Sequence, residues 1–301
     1  MKNILKECTL CPRNCRINRY NKKGFCGATN KIKIARAALH YYEEPSISGI
    51  NGSGTIFFSG CNLQCVFCQN NEISKNNFGK EISITRLSEI MIELQQKKAH
   101  NINLVTPTHY IPQIVKAIKK AKKLGLKIPI VYNTSGYEKK ESLKLLRGLI
   151  DIYLPDFKYY NNEYAKKYSN SLNYLEYAKE SLDEMYLQTG PCKFDKKGML
   201  KKGIIVRHLM LPTLKEDTKL ILKYLYKTYD DNIYISIMNQ YTPPKNIKFN
   251  ELKSSINKSD YNEVIDYALD LGITNAYCQM DGTVSESFIP TFNLEGVIKN
   301  K

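Results

Sequence analysis

Short apolar runs ending in Gly or Pro alternate six times with amphipathic helical stretches, and this alternation constrains the fold more than any other feature of the chain. TIFFSG (residues 55–60) reads as a buried strand. ITRLSEIMIELQQKKA (84–99) then spaces Leu87, Ile90, Met91 and Leu94 along one helical face. NINLVTP, stopped by Pro107, precedes IPQIVKAIKKAKKLG, closed by Gly125. The pattern continues as IPIVYNTSG with KKESLKLLRG, then DIYLPDFKY with two helical stretches across 161–187. GIIVRHLMLP with DTKLILKYLYKTY follows, then NIYISIMNQY with a helix over about 260–271, and ITNAYCQM adds a last short strand. Serial β-then-α units dictate a parallel sheet with crossover helices. Six units fall short of a closed eight-fold barrel, so the expected fold is α/β, a partial (β/α)6 barrel. Its chemistry belongs on loops leaving the C-terminal strand ends. The first fifty residues differ, with four cysteines, few regular apolar repeats and the turn-rich EEPSISGINGSG. The expected division is a Cys-rich, metal-binding segment over 1–50 and the barrel over 51–301.

At 301 residues and 43% hydrophobic, the chain has material for a sizeable core. No apolar run reaches the roughly 18 residues of a membrane span. MKNILKECTLCPRNC turns polar too early for a secretory signal, so a soluble, cytoplasmic protein is expected. The net charge of +16, from 45 basic and 29 acidic residues, invites a nucleic-acid reading. The excess is spread along a Lys-, Asn-, Ile- and Tyr-rich chain without Trp, as A/T-rich codons produce, rather than clustered as a footprint. Nucleic acid is therefore not the expected partner; a basic surface equally suits docking of an acidic protein.

Nine cysteines in a reducing compartment point to metal sites more than disulfides. GCNLQCVFC (60–68) places Cys61, Cys65 and Cys68 directly after the first of the six strands. Three ligands leave one iron of a four-iron cluster open, whereas structural zinc needs a fourth ligand from elsewhere. Cys8-x2-Cys11-x3-Cys15-x10-Cys26 has four thiols, enough for a closed site holding zinc or an iron–sulfur cluster. Cys192 and Cys278 read as ordinary thiols.

The C-x3-C-x2-C spacing, with Phe67 before the third cysteine, resembles the radical S-adenosylmethionine (SAM) superfamily. GSGTIFFSGCNLQCVFCQNNEIS, with CTLCPRNC, LVTPTH, VYNTSGY, LPDFKY and VRHLMLP, is similar to homologues of pyruvate formate-lyase activating enzyme over nearly the whole chain. The resemblance implies a [4Fe–4S] cluster on Cys61, Cys65 and Cys68, with SAM on the fourth iron, and cleavage to a 5′-deoxyadenosyl radical that abstracts hydrogen. It implies flavodoxin or ferredoxin as electron donor and a glycyl radical enzyme or other protein as substrate. By the same resemblance Phe67 packs near the adenine. Thr106 and Thr108 stand where many members carry Gly-Gly-Glu. Asn133 and Thr134 match an Asp-Thr of the activases, and Asp156 and Lys158 their Asp-Leu-Lys; the aspartates there help hold a monovalent cation. Arg207 matches an arginine that reaches the methionine carboxylate, and Gln240 a histidine near the ribose. His40, His109 and His208 stay outside the expected site. Two rivals remain: a radical SAM enzyme acting on a small molecule or another protein modification, and a non-catalytic zinc/Cys-cluster protein binding nucleic acid.

Overall fold

The structure, a computed structural model, describes residues 4–279 and 289–299. Its strands are β1 (Ile32–His40), β2 (Ser53–Phe58), β3 (Lys80–Ile82), β4 (Ile102–Val105), β5 (Ile130–Thr134), β6 (Ile152–Pro155), β7 (Lys193–Phe194), β8 (Leu200–Leu209), β9 (Tyr234–Met238) and β10 (Ala276–Cys278). They form one sheet in the order β10-β9-β8-β6-β5-β4-β2-β1-β3, with β7 paired to β8. From β2 to β10 every neighbouring pair along that order is parallel. The six expected strands are thus β2, β4, β5, β6, β8 and β9, with β10 as the short last one, in a partial (β/α) barrel. No helix among the described residues is long and apolar enough to cross a membrane.

The helices follow from the sequence. Ile84–Gln96 starts at Ser83, whose hydroxyl accepts the Arg86 N–H at 3.0 Å, and it buries Leu87, Ile90, Met91 and Leu94. KKESLKLLRG is the exception. It gives only a turn of helix, Lys140–Leu143, and a 3-10 turn, Lys144–Leu146, because Lys139 supplies no side-chain cap and Gly148 ends the run at φ +74°.

The sheet begins well before residue 51. β1 runs antiparallel beside β2, with Ala38 opposite Thr55 and His40 opposite Ser53. A break in register between Ile34 and Arg36 puts both Ile34 and Ala35 in the interior, which spoils the alternation by which a strand is recognised. Being antiparallel, β1 delivers residues 43–48 to the N-terminal ends of the parallel strands. There Ile47 packs against Val131, Ile152, Leu154, Leu200 and Ile205 and closes the barrel floor. The cavity lies above that floor, and the Cys61 loop leaves β2 at the opposite end.

Candidate active site and the two cysteine groups

The loop after β2 is held from several directions. Asn62 donates to the Tyr137 carbonyl at 2.7 Å, and Arg13 reaches across to the carbonyls of Asn62 (2.7 Å), Leu63 (3.2 Å) and Ser169 (3.0 Å). Gly60 adopts φ +89°, and a Cβ there would meet the Cys26 carbonyl oxygen at 2.2 Å. Only glycine allows the approach that lets the Cys61 N–H donate to Cys26 at 3.2 Å. Cys61, Cys65 and Cys68 all border one cavity. Each sulfur has a polar neighbour. The Leu63 N–H donates to Cys61 (3.3 Å), the Ser169 hydroxyl donates to Cys65 (3.0 Å), and the Ser74 hydroxyl lies 3.2 Å from Cys68. Burial pushes the Cys61 thiol up to about 12 and raises Cys65 against the pull of Lys158. Such thiols ionise only when a metal displaces their protons. Three sulfurs on one loop, supported by N–H and hydroxyl groups and a nearby cation, fit a cysteine-bound iron–sulfur cluster.

Phe67, Thr106, Asn133, Thr134, Asp156, Lys158, Arg207 and Gln240 border the same cavity. Thr106 does so at φ +57°, a strained conformation for a β-branched residue, at the end of β4. Thr108 does not reach the cavity. It opens the 3-10 turn Thr108–Tyr110 and donates to Glu138 at 2.6 Å, because the turn after Pro107 swings its side chain into the core.

A linked polar network forms the lower wall. Arg207 donates through Nε to Asp156 (3.0 Å), through Nη1 to Glu43 (3.0 Å) and through Nη2 to Asn133 (2.7 Å). Lys158 pairs with the other Asp156 oxygen at 2.8 Å. Glu43 also accepts from Asn103 (3.0 Å) and Asn133 (3.3 Å). Burial alone would raise Asp156, but the Lys158 and Arg207 charges overcome it and hold the carboxyl below its ordinary range. Arg207 thus binds two carboxylates of the protein itself.

Glu43 and its neighbour Glu44, whose carboxyl burial pushes up to about 7, open the turn-rich stretch and were not among the expected site residues. The available signal was their place directly after an overlooked strand. His40 also borders the cavity, edge-on to Phe57 at 5.9 Å, contrary to its expected place outside the site. Burial and the Arg36 and Arg207 charges lower it to about 4, so it is neutral at pH 7. His109 and His208 are core residues, bonded to Ser59 O (2.8 Å) and to Phe157 O (2.7 Å).

Below Thr134 lies Glu138, fully buried, one oxygen accepting from Thr108 (2.6 Å), Thr134 (2.5 Å) and Tyr132 (3.2 Å) and the other without a partner. Burial pushes its carboxyl up to about 7. Cys8, Cys11 and Cys26 are buried and Cys15 half-buried. Among the described residues no three Cys, His, Asp or Glu side chains converge on a single metal-ion position.

Residues 55–188 match the family described as the Radical SAM superfamily. The uncharacterized protein MJ0674 of Methanocaldococcus jannaschii is 33% identical over 252 residues, covering 80% of this chain and 68% of that protein. The fold is similar to Streptococcus suis SuiB bound to S-adenosylmethionine, with TM-score 0.51, 12% identity, 74% of this chain and 48% of SuiB. It is also similar to methylornithine synthase (PylB), with TM-score 0.50, 15% identity, 83% of this chain and 76% of that chain. The chain spans about half the length of SuiB.

Proposed function

Because the chain belongs to the radical SAM superfamily, we propose that it is a radical SAM oxidoreductase most like a glycyl-radical-enzyme activase, taking hydrogen from a protein or peptide. The observation that carries this reading is the convergence of the Cys61, Cys65 and Cys68 thiols with polar strand-end residues on one cavity. When bound there, a [4Fe–4S] cluster and SAM supply reductive cleavage to methionine and a hydrogen-abstracting 5′-deoxyadenosyl radical. The three cysteines bind the cluster, with Ser169, Ser74 and the Leu63 N–H orienting their sulfurs. Lys158 offers positive charge to a carboxylate, while Asp156 and Asn133, held by Arg207, offer oxygens to an ammonium group. Phe67 and Gln240, on the cavity wall, would border the adenosine of a bound SAM. Toward the surface the cavity meets a depression along Arg36, Leu39 and Tyr41, sharing His40, Tyr42 and Pro290 with it. An extended peptide suits that shape. The N-terminal thiols hold a separate centre, zinc or a second cluster.

Electrons come from flavodoxin or ferredoxin, acidic partners that a +16 chain attracts. The test is anaerobic incubation of the reconstituted enzyme with SAM and a glycyl radical enzyme, reduced by dithionite or by flavodoxin. A persistent protein-centred radical should appear in the EPR spectrum, and added salt should slow only the flavodoxin-driven reaction. SAM cleavage with no radical on the protein would turn the reading to a small-molecule substrate. Equal salt sensitivity with both reductants would reject electrostatic docking.

A further inference from the structure

The turns of residues 4–31 lie against the loop that carries Cys61, Cys65 and Cys68, and none of these residues borders the cavity. Gln64, between Cys61 and Cys65, donates to the Phe25 carbonyl at 2.7 Å, and the Cys26 carbonyl accepts the Cys61 N–H at 3.2 Å. The Arg13 guanidinium, which also holds the Asn62 and Leu63 carbonyls of the loop, lies 4.0 Å over the Phe25 ring. That ring is 39% exposed. Phe25 therefore reaches from solvent to the cysteine loop on a side that the cavity does not use.

The charge of this lobe is uneven. Between residues 4 and 31 stand seven basic residues and one acidic, Glu7, a sharper excess than the 45 to 29 of the whole chain. Only Arg19 among the seven is buried. Lys31 pairs with Glu81 at 3.1 Å, whereas Arg16, Lys22 and Lys23 are exposed and meet no carboxylate among the described residues. Lys22 and Lys23 approach Phe25 along the turn from Asn18, whose carbonyl accepts the Lys22 N–H at 2.9 Å. The other exposed approach to the loop is the short helix Asn71–Ser74 with Lys75 after it. There Glu72 offsets Lys75.

We propose that this basic lobe, centred on Lys22, Lys23 and Phe25, is the docking surface for a small acidic one-electron carrier protein. The inference rests on the reading of the barrel as a radical SAM enzyme, whose cysteine loop must receive one electron for each SAM cleaved. The carrier is oxidised by that electron and the loop's cluster reduced by it, and no bond forms or breaks at the interface. SAM and substrate would occupy the cavity side of the loop, which leaves the lobe side to the donor. Opposite charge speeds the encounter and disfavours other basic proteins. An exposed aromatic among cations gives the contact an apolar centre with a charged rim. Interfaces between redox partners are small, which suits a lobe of this size.

The test compares two charge reversals of equal size in the full-length protein. Lys22→Glu/Lys23→Glu alters the lobe, and Lys119→Glu/Lys123→Glu alters the outer face of the helix Ile111–Lys123. All four lysines are exposed, so neither pair threatens the core. Binding of oxidised flavodoxin is measured by calorimetry at low salt, where no SAM chemistry takes part. The helix pair should bind within about twofold of the wild type, and the lobe pair about tenfold more weakly and with a shallower salt dependence. In the reconstituted enzyme, flavodoxin-driven formation of 5′-deoxyadenosine should fall in the lobe pair alone, with dithionite-driven formation equal in all three proteins. Failure of the wild type to bind flavodoxin, equal affinity in the lobe pair and the wild type, or an equal loss in both pairs would overturn the surface. A wild type that binds flavodoxin through the lobe yet cleaves no SAM with dithionite would overturn the enzymatic reading and leave the docking surface standing.

Discussion

Half-buried Arg207 and fully buried Arg19 each place a guanidinium near a group of cysteines, and they are balanced in different ways. Arg207 spends its donors on Asp156, Glu43 and Asn133, so the barrel's polar wall is electrically complete from its own side chains. Arg19 has only carbonyls and a ring. The barrel's cysteines leave a rigid sheet and border an open cavity. The N-terminal cysteines sit on turns with no regular structure between them. One region is a frame whose charges are paired among its own side chains; the other is a small lobe whose buried guanidinium is met by carbonyls and a ring.

The largest effect that separates the two regions is expected from Arg207→Ala. It leaves Glu43 and Asp156 facing each other without their shared cation, which should cost about 3 kcal/mol. That is the lower end for breaking a buried pair, since the cavity side of the wall is partly wet. Denaturant unfolding should show the loss with or without metal present. An unchanged midpoint would mean that the wall is not the closed network described here.

A smaller, pH-dependent effect is expected at Glu138, which touches both regions. It bonds the cavity-wall Thr134 and its charge bears on Cys11. Its folded carboxyl titrates near 7 against an ordinary 4.5, so between those values the folded state holds a proton that the unfolded state releases. Stability from this group is therefore full below about pH 4.5 and lost as pH rises through 7, by on the order of 3 kcal/mol. Glu138→Gln should flatten that slope in unfolding experiments between pH 5 and 8. A slope identical to the wild type's would show that Glu138 is ionised throughout.

The difference between the regions also governs what could be read from residues alone. The six parallel strands were legible because each is buried on both faces and so forms a continuous apolar run. Cys61, Cys65 and Cys68 were legible from spacing, and the strand-end residues from the family resemblance laid onto the ends of those runs. β1 was not, because the irregularity at Ile34 and the small alanines blur its period. With β1 went Glu43, which reads as an exposed charge until the antiparallel strand carries it under the cavity. Thr108 was named by its match to the family's Gly-Gly-Glu stretch, and the 3-10 turn after Pro107 carries it instead to Glu138. Arg19 had no sequence signal at all, since its burial depends on His109 and Thr29 closing over it.

Under the proposed function the barrel's cysteines, and not the N-terminal ones, carry the redox chemistry. Its most direct test is the yield of 5′-deoxyadenosine from SAM under dithionite, measured anaerobically on reconstituted wild type and Cys65→Ala. The wild type should form it, and Cys65→Ala should form none above the enzyme-free background while keeping its N-terminal metal. Undiminished cleavage by Cys65→Ala would show that the barrel's cysteines do not carry this chemistry.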